Sequence, residues 1–509
     1  MKRILSVLLG TLFLLMCACG EKPRDALEYY SQKDFVRSGS QDGFDYILYS
    51  DHVEITGVEV DQIETELEFP SKISGKPVTV IAGFLFVNNT YLMSVTLPSQ
   101  LEEIGSNLFE GCSALEDVMI PKTVKVIKSG AFKGTAWYES LSDEFVTVGD
   151  EVLIKYNGDD IDVKIPDGVK YISDAFAENS RISTVIIPDT VNGICDYAFY
   201  NCSSLTEINI PDHISDIGTG AFENTTWIMA TLEDFVTVGN GVLIKYNGTE
   251  TSISLPLDIK YIAGAFYLNK TVTSVTVPAS VLCVRKHSFY GCETLNSVKF
   301  QGDETFIEDG TFINCIGLTD VELPKNLEII SDQIFYSCSA LESIELPKNV
   351  KYIGHTSFYN CAELINVAIP EGTTWIGRGA FFGCVKIKEI TIPQSVTGFG
   401  DAVFGCCYEL EKMELPPALT EIPEGLFSCC VKLTEIKLTN RIKKVGSYAF
   451  EACQNIKVYV PNESTEFAQD AFIDSNNAEI VCVKGSKVEE YAKEKEIKYS
   501  ELKTAETEG

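Results

Sequence analysis

The sequence predicts an α/β-type repeat solenoid, a single elongated stack of coils of about 23 residues with one short strand in each coil and little helix. Two observations predict this fold class. A pair of apolar residues spaced Ile-x4-Phe recurs along the chain, and sixteen phenylalanines from Phe86 to Phe472 occupy the second place of this pair or of its conservative variants. A short run of alternating apolar residues, usually closed by proline, comes before each pair, as in residues 344–347.

The alternating run is the predicted strand. In residues 344–347, Ile344 and Leu346 face one side of an extended chain and Glu345 faces the other, which is typical of a strand with one buried face. Proline ends the strand because it has no backbone N–H to continue the ladder. One strand in every repeat, always followed by the same turn, indicates one coil of a solenoid.

Two interruptions of the repeat predict hairpins. The step that follows Ile127 and the step that follows Ile217 are each 45 residues long, and both contain nearly the same segment, displaced by 90 residues. A Gly-Asp or Gly-Asn pair between two β-rich runs favours a tight turn. The sequence therefore predicts two β-hairpin insertions, near 137–160 and 227–250.

The N-terminus predicts export. Residues 1–18 hold two basic residues and then a short apolar run, which is typical of a signal peptide and too short to span a membrane. Ala18 followed by Cys19 resembles a bacterial lipobox, which implies that Cys19 carries the lipid; a plain secretory signal cleaved near Ala18 is the alternative. Residues 19–43 are then a lipid-attached tether.

The predicted folded body is a leucine-rich-repeat solenoid of 16 coils over residues 44–475. Residues 476–503 contain an apolar run and then a helical pattern that starts at a serine, which predicts a strand and a helix that cover the open end of the stack. Residues 504–509 form a predicted disordered tail.

One position of the repeat is unusually rich in cysteine. Three residues after the phenylalanine, ten coils have a cysteine and six have another small residue. Because the position accepts Cys, Asn, Thr and Ser, we expect a small, reduced, buried side chain that hydrogen-bonds to a turn, and neither a disulfide nor a zinc ligand. The cysteines are 112, 202, 292, 315, 338, 361, 384, 407, 430 and 453, and the others are Asn89, Thr135, Asn179, Thr225, Asn269 and Ser475.

Composition and motifs exclude several classes of function. A formal net charge of −32 disfavours nucleic acids and anionic lipid surfaces as partners. The sequence shows no catalytic set, phosphate-binding loop or metalloprotease motif, so we expect no enzyme activity and no cofactor or metal. Asp159, Asp160 and Asp162 suggest a calcium loop, but the duplicated segment has other residues there, so a solvated turn is the preferred interpretation.

The outward face of the strands is the candidate binding site, because its residues vary from coil to coil while the core does not. The candidate ligand-binding residues are Lys299, Asp320, Glu322, Glu345, Glu389, Thr391, Lys412, Glu414 and Lys437. Four acidic residues lie in the centre of this set and lysines lie on either side, which favours a partner with a basic centre.

The repeat resembles the BspA-type leucine-rich repeat family of bacterial surface proteins and lipoproteins. Leu205 to Pro211 and then Ile217 to Phe222 follow the family pattern, and the resemblance covers about residues 65–475. It implies an exported protein that is lipid-anchored at the bacterial cell surface, touches the membrane through its lipid, and acts as an adhesin or receptor for host or bacterial proteins or glycans. A structural scaffold of the cell envelope without a dedicated ligand remains the alternative.

Overall fold

The computed structural model describes residues 35–58 and 65–502. The predicted signal peptide, Cys19 and the tail 504–509 lie outside the described residues. The chain divides into two compact units. The first unit comprises the residues up to Gly248 together with Asp258–Ala265, and the second comprises Thr249–Leu257 together with the residues from Phe266 onward.

Each regular coil holds two short parallel strands, which we call the first and the second strand. The first strand is the predicted alternating run, and the second includes the isoleucine of the Ile-x4-Phe pair. The predicted repeat solenoid with little helix is confirmed, but the prediction of one strand per coil is incomplete. The second strands are two residues long, so they show no alternation that sequence analysis can detect.

In the first unit, strands at the N-terminus precede the coils. The N-terminal strands are β1 (Phe35–Gln41), β2 (Phe44–Tyr49), β3 (Val53–Val58), β5 (Lys72–Ile73) and β6 (Lys76–Ile81). The first strands of its coils are β4 (Glu66–Glu68), β7 (Ser94–Thr96), β9 (Asp117–Val118), β13 (Asp162–Lys164), β15 (Thr184–Ile186) and β17 (Glu207–Asn209). The second strands are β8 (Glu103–Ile104), β10 (Val126–Ile127), β14 (Tyr171–Ile172), β16 (Gly193–Ile194), β18 (Asp216–Ile217) and β22 (Tyr261–Ile262).

The first unit also contains two short helices and two hairpins. They are α1 (Ala136–Ser140) with β11 (Phe145–Val148) and β12 (Val152–Tyr156), and α2 (Thr226–Ala230) with β19 (Phe235–Val238) and β20 (Val242–Tyr246).

The second unit consists of coils and a C-terminal helix. Its first strands are β21 (Ser252–Ser254), β23 (Ser274–Val277), β25 (Ser297–Phe300), β27 (Asp320–Glu322), β29 (Ser343–Glu345), β31 (Asn366–Ala368), β35 (Glu435–Lys437), β37 (Lys457–Val460), β39 (Glu479–Cys482) and β40 (Lys498–Glu501). Its second strands are β24 (Cys283–Val284), β26 (Phe306–Ile307), β28 (Ile329–Ile330), β30 (Tyr352–Ile353), β32 (Trp375–Ile376), β33 (Gly398–Phe399), β34 (Glu421–Ile422), β36 (Lys444–Val445) and β38 (Glu466–Phe467). The helix is α3 (Lys487–Glu494).

The N-terminal strands extend the folded body further than the sequence predicts. β1 pairs antiparallel with β2, β2 pairs antiparallel with β3, and β3 pairs parallel with β6, which continues the ladder to β8. Strand β1 lies inside the segment 19–43 that we predicted to be a tether. The folded part therefore begins no later than Phe35, and β1 covers the outer edge of β2.

The two predicted hairpins are present, but they do not interrupt the stack of coils. β11 pairs antiparallel with β12, and β12 then pairs parallel with the second strand β14 of the next coil. Helix α1 takes the place of a first strand, and the Trp137 N–H donates to the Leu115 carbonyl at 2.7 Å. Each hairpin segment is therefore a modified coil that lacks a first strand.

Aromatic rings form the core of the second unit. The phenylalanines of the Ile-x4-Phe pairs stack from Phe266 to Phe472 with centroid separations of 4.9 to 6.1 Å. Those from Phe266 to Phe450 are 1% exposed or less. One ring from each coil therefore joins that coil to both of its neighbours.

The C-terminal cap covers the end of this core. Ser486 caps α3 and accepts the Glu489 N–H, and the ring of Tyr491 on this helix stacks on Phe467 at 5.0 Å. The segment 476–503 thus contains the predicted strand and helix, and in addition the parallel strand β40. No helix within residues 35–58 and 65–502 has the length and apolar character needed to cross a membrane.

Candidate functional site

The predicted binding residues lie on the outward side of the first strands of the second unit. All nine are exposed, from Lys299 to Lys437. They belong to β25, β27, β29 and β35 and to two extended segments that meet in the single bridge between Glu389 and Lys412. We call this surface the strand face, which comprises the nine residues and their outward neighbours on the same strands.

The alternation of the strands explains this exposure. On β27, Val321 is 8% exposed, whereas Asp320 and Glu322 on either side of it face solvent. On β29, Ile344 is 7% exposed, whereas Ser343 and Glu345 face solvent. Because successive side chains of a strand point to opposite sides, burial of the central residue turns both neighbours outward.

Backbone register arranges the strand face in two rows. Ser297 lies opposite Asp320 and Lys299 lies opposite Glu322 in β25 and β27. The same alternation continues in the following coils. It places Asp320 and Glu389 in the row of Ser297, and Glu345 in the row of Lys299. The central acidic residues are therefore spread over both rows.

The strand face is not one continuous hydrogen-bonded sheet. Strands β21, β23, β25 and β27 form one sheet, β29 and β31 a second, and β35, β37, β39 and β40 a third. Between the last two groups there is the isolated bridge of Glu389 with Lys412. The strand face is thus divided into four hydrogen-bonded parts.

Some charges of the strand face are neutralised by partners within it. The Lys299 ammonium lies 2.6 Å from the Glu322 carboxylate, and the Lys437 ammonium lies 3.0 Å from Glu435. Lys437 also lies over the ring of Tyr459, 5.8 Å from its centroid. Exposed pairs of this kind contribute only about 0–1 kcal/mol each, so their effect here is mainly to offset charge.

Four carboxylates of the strand face have no such partner: Glu414 and three of the four central acidic residues predicted from the sequence. Across the described part of the chain, Asp320, Glu345 and Glu389 form no ion pair within 4.0 Å. We call these three residues the acidic set. Sequence analysis placed Glu322 with them, but Lys299 offsets its charge.

The column of ten cysteines has a structural role. All ten are free and buried, as predicted, and each thiol donates to the carbonyl of the phenylalanine one coil earlier, as Cys361 does to Phe335 at 3.2 Å. The ten hydrogen bonds span 2.9 to 3.2 Å. Burial raises the pKa of most of these thiols, for example to about 12 at Cys407, so the raised thiols stay protonated and can donate.

Four of the six residues that replace cysteine in this column have a role at or beside the hairpin coils. The sequence analysis missed this relation. Thr135 and Thr225 are the N-caps of the two short helices, where their hydroxyls accept a helix N–H. Asn179 and Asn269 come directly after the hairpin coils and accept N–H groups of their own turns. The 45-residue steps were the available signal, since these four exceptions stand beside them.

Asp159 of the suggested calcium loop has a local partner, and so does His355. Asp159 pairs with Arg181, and the ring nitrogen Nδ1 of His355 accepts the N–H of Arg378 at 2.9 Å. Within residues 35–58 and 65–502, no group of three His, Cys, Asp or Glu side chains is arranged to hold a metal ion.

Similar structures include three bacterial proteins. A leucine-rich cell surface protein from Faecalibacterium prausnitzii is 19% identical, with 90% of this chain and 98% of that chain covered and a TM-score of 0.32. A leucine-rich repeat protein from Bacteroides ovatus is 22% identical, with coverage of 70% and 95% and a TM-score of 0.29. The pneumococcal vaccine antigen PcpA is 16% identical, with coverage of 92% and 100% and a TM-score of 0.37.

A comparison with curated protein sequences gives no significant match. The BspA type leucine-rich repeat region, in contrast, matches most of the chain in six copies. The matched residues are 65–172, 140–247, 260–374 and 351–479. The chain therefore belongs to the BspA-type leucine-rich repeat family.

Proposed function

We propose that this protein is a cell-surface binding protein, an adhesin or receptor, whose strand face recognises a partner protein with a basic surface. One observation carries the proposal: the acidic set of Asp320, Glu345 and Glu389 is exposed and has no ion-pair partner within the described residues. Unpaired carboxylates on one exposed surface make its potential negative, and this potential attracts a partner with Lys or Arg groups.

The surface around the acidic set is suited to a protein partner. A protein interface of ordinary size buries about 800 Å² on each side, and several successive coils provide a surface of that order. Basic side chains are common on proteins, whereas glycans are usually neutral or anionic. A glycan therefore fits the acidic set less well, although our expectation from the sequence included it.

We also propose that the protein is exported and lipid-anchored through Cys19. The basic and apolar character of residues 1–18 and the Ala18–Cys19 junction support this proposal. Mass spectrometry of the protein from its native membrane should find acyl groups on an N-terminal Cys19. An unmodified N-terminus at a later residue would contradict the lipid anchor and leave the binding proposal untouched.

Binding is tested with the chain that begins at Gly20 and lacks the lipid. The chain is first screened against an array of matrix proteins, bacterial surface proteins and glycans. The triple variant Asp320→Lys, Glu345→Lys and Glu389→Lys should then lose at least about tenfold in affinity for its protein ligand. Because the interaction is electrostatic, the affinity of the unmodified chain should also fall as salt is raised.

Two matched controls carry the same change of charge elsewhere. The first reverses Asp117, Asp162 and Glu207, which are exposed on first strands of the first unit. The second reverses Asp143, Glu151 and Asp160, which are exposed at the first hairpin coil. Both controls should bind within about twofold of the unmodified chain. If the hairpin control loses binding while the triple variant keeps it, the site lies on the hairpin and not on the strand face.

A further inference from the structure

Two cysteines of the second unit differ from all the other described ones. Cys406 and Cys429 are partly exposed, whereas the other described cysteines are buried. Each comes directly before a member of the buried column, Cys407 or Cys430, whose thiol is engaged with a phenylalanine carbonyl. Cys406 and Cys429 therefore form a separate column at the surface.

Cysteine is a poor choice for the backbone at this place in the coil. The φ angles of Cys406 and Cys429 are 57° and 61°, in the left-handed region that Gly and Asn adopt most readily. The two preceding coils have Asn360 and Gly383 at the equivalent position, as this preference predicts. Other coils of this unit have Ser337 or Ala452 there, with φ angles of 58° and 53°, so the fold accepts a small residue at this place but does not require cysteine.

Stacking of adjacent coils brings the two cysteines together. The Cys406 N–H donates to the carbonyl of Ser428, the residue before Cys429, at 2.7 Å. Neighbouring strands lie about 4.8 Å apart, which falls within the Cα separation of about 4.4–6.8 Å that disulfides require. Because both residues have the same backbone conformation, their Cβ atoms start slightly beyond the disulfide range of about 3.5–4.5 Å, so closure needs only a small shift of an exposed turn.

The surroundings give the two thiols different roles. The hydrogen bond from Cys406 is the largest cause that lowers the pKa of the Cys429 thiol to about 7, and Ser428 lowers it further. Burial and the carboxylates of Glu451 and Asp474 act in the opposite direction. Cys429 is thus the thiol that is ready to act as a nucleophile, and Cys406 keeps its proton.

We propose that Cys406 and Cys429 form a surface dithiol site that reacts with low-molecular-weight disulfides and closes into a disulfide between adjacent coils. The Cys429 thiolate attacks one sulfur of the disulfide, forms a mixed disulfide and releases one thiolate. Cys406 then loses its proton and attacks the Cys429 sulfur, which releases the second thiolate. The two protein thiols are oxidised to one disulfide, the small disulfide is reduced to two thiols, and the two protons from the cysteines end on these thiols.

The test incubates the whole chain from Gly20, reduced and folded, with oxidised glutathione. The protein should lose two thiols that alkylation can detect, and its mass should fall by about 2 Da without retained glutathione. Because Cys406 and Cys429 are each followed by another cysteine, variants are needed to show which two cysteines form the crosslink. The crosslink should persist in Cys407→Ser/Cys430→Ser and disappear in Cys406→Ser/Cys429→Ser, and Cys406→Ser alone should stop at one glutathione on Cys429.

A second measurement on the unsubstituted chain guards against variants that fail to fold. Brief alkylation under native conditions, followed by fragmentation of the peptides between the adjacent cysteines, should place the label first on Cys429, whose thiol ionises more readily, and leave Cys407 and Cys430 unlabelled. The proposal is overturned if the folded chain forms no crosslink, if the crosslink survives in Cys406→Ser/Cys429→Ser, or if the native label is found on the buried pair.

Discussion

Replacement of Phe358 by alanine tests the core that holds the coils of the second unit together. The Phe358 ring is 0% exposed and stacks on Phe335 at 5.4 Å and on Phe381 at 5.3 Å. Its backbone carbonyl accepts the Cys384 thiol at 3.1 Å, and alanine keeps that bond. The change therefore removes ring contacts and leaves the backbone hydrogen bonds in place.

The expected loss is large for one side chain. Burial of a phenylalanine side chain on folding stabilises the folded state by about 1.5–3 kcal/mol. Contacts with two neighbouring rings add about 0.5–1.5 kcal/mol for each pair. Rigid coils on both sides cannot collapse into the space that remains, so a cavity persists. We expect Phe358→Ala to lower the free energy of unfolding by about 3–5 kcal/mol.

The assay has to report on the coils near the substitution, because repeat arrays can unfold in parts. The chain has three tryptophans, Trp137 and Trp227 in the first unit and Trp375 in the second. In a background with Trp137→Phe and Trp227→Phe, fluorescence during denaturant unfolding follows Trp375, which stands in the coil next to Phe358. Both the substituted chain and its parent are measured in this background.

Ile365→Ala is the matched control. Ile365 is an apolar residue of the same unit, but it is 53% exposed, so its loss should change the free energy of unfolding by less than about 0.5 kcal/mol. A loss below about 1 kcal/mol for Phe358→Ala would refute the reasoning, because it would mean that the stacked rings do not join the coils.

Three further predictions concern the cysteine column, the C-terminal cap and the N-terminal strand β1. Cys361→Ala should cost about 1 kcal/mol because it leaves the Phe335 carbonyl without its donor, whereas Cys361→Ser keeps a donor and should cost less; equal losses in the Trp375 assay would argue against a hydrogen-bonding role. At Glu479, hydrogen bonds from Lys498 and Ser500 lower the pKa from 4.5 to about 2. The carboxylate therefore stabilises the folded state above pH 4.5, and this contribution is lost as the pH falls toward about 2. Unfolding curves of the unmodified chain and of Glu479→Gln should thus converge over that range, and a constant difference would speak against the assignment. A chain that starts at residue 44 lacks β1 and exposes the edge of β2, so it should melt at a lower temperature and associate more than the chain from Gly20; identical melting curves and elution volumes would show that β1 is dispensable.

Much of the fold could be predicted because its signals repeat along the chain. Phe358 recurs in register with fifteen other phenylalanines, and the alternation around Val321 assigns Asp320 and Glu322 to the outside. The turn residues of the duplicated segment predicted both hairpins. In each case the preference for burial, exposure or a turn depends on a residue and its neighbours in the chain. Composition and spacing are therefore enough to detect it.

Other features were missed because they have no repeat. Strand β1 occurs once, and its partner β2 is recognised only from the pairing itself. The second strand β30 consists of Tyr352 and Ile353, both buried, so it has no polar position that would mark it as a strand. The hairpin segments were interpreted as insertions, because the sequence does not show that β12 continues the ladder of second strands.

The sequence by itself determined the repeat, its core residues and the set of side chains that face solvent. Only the tertiary structure decided which of those side chains meet. Coils place residues about 23 positions apart side by side, and the rotamers at that contact determine whether Lys299 reaches Glu322 and whether Glu345 is left without a cation. The same stacking brings Cys406 beside Cys429. Periodicity along a chain shows which residues are equivalent, but contact energies depend on distances of a few ångströms between coils, and these exist only after the chain has folded.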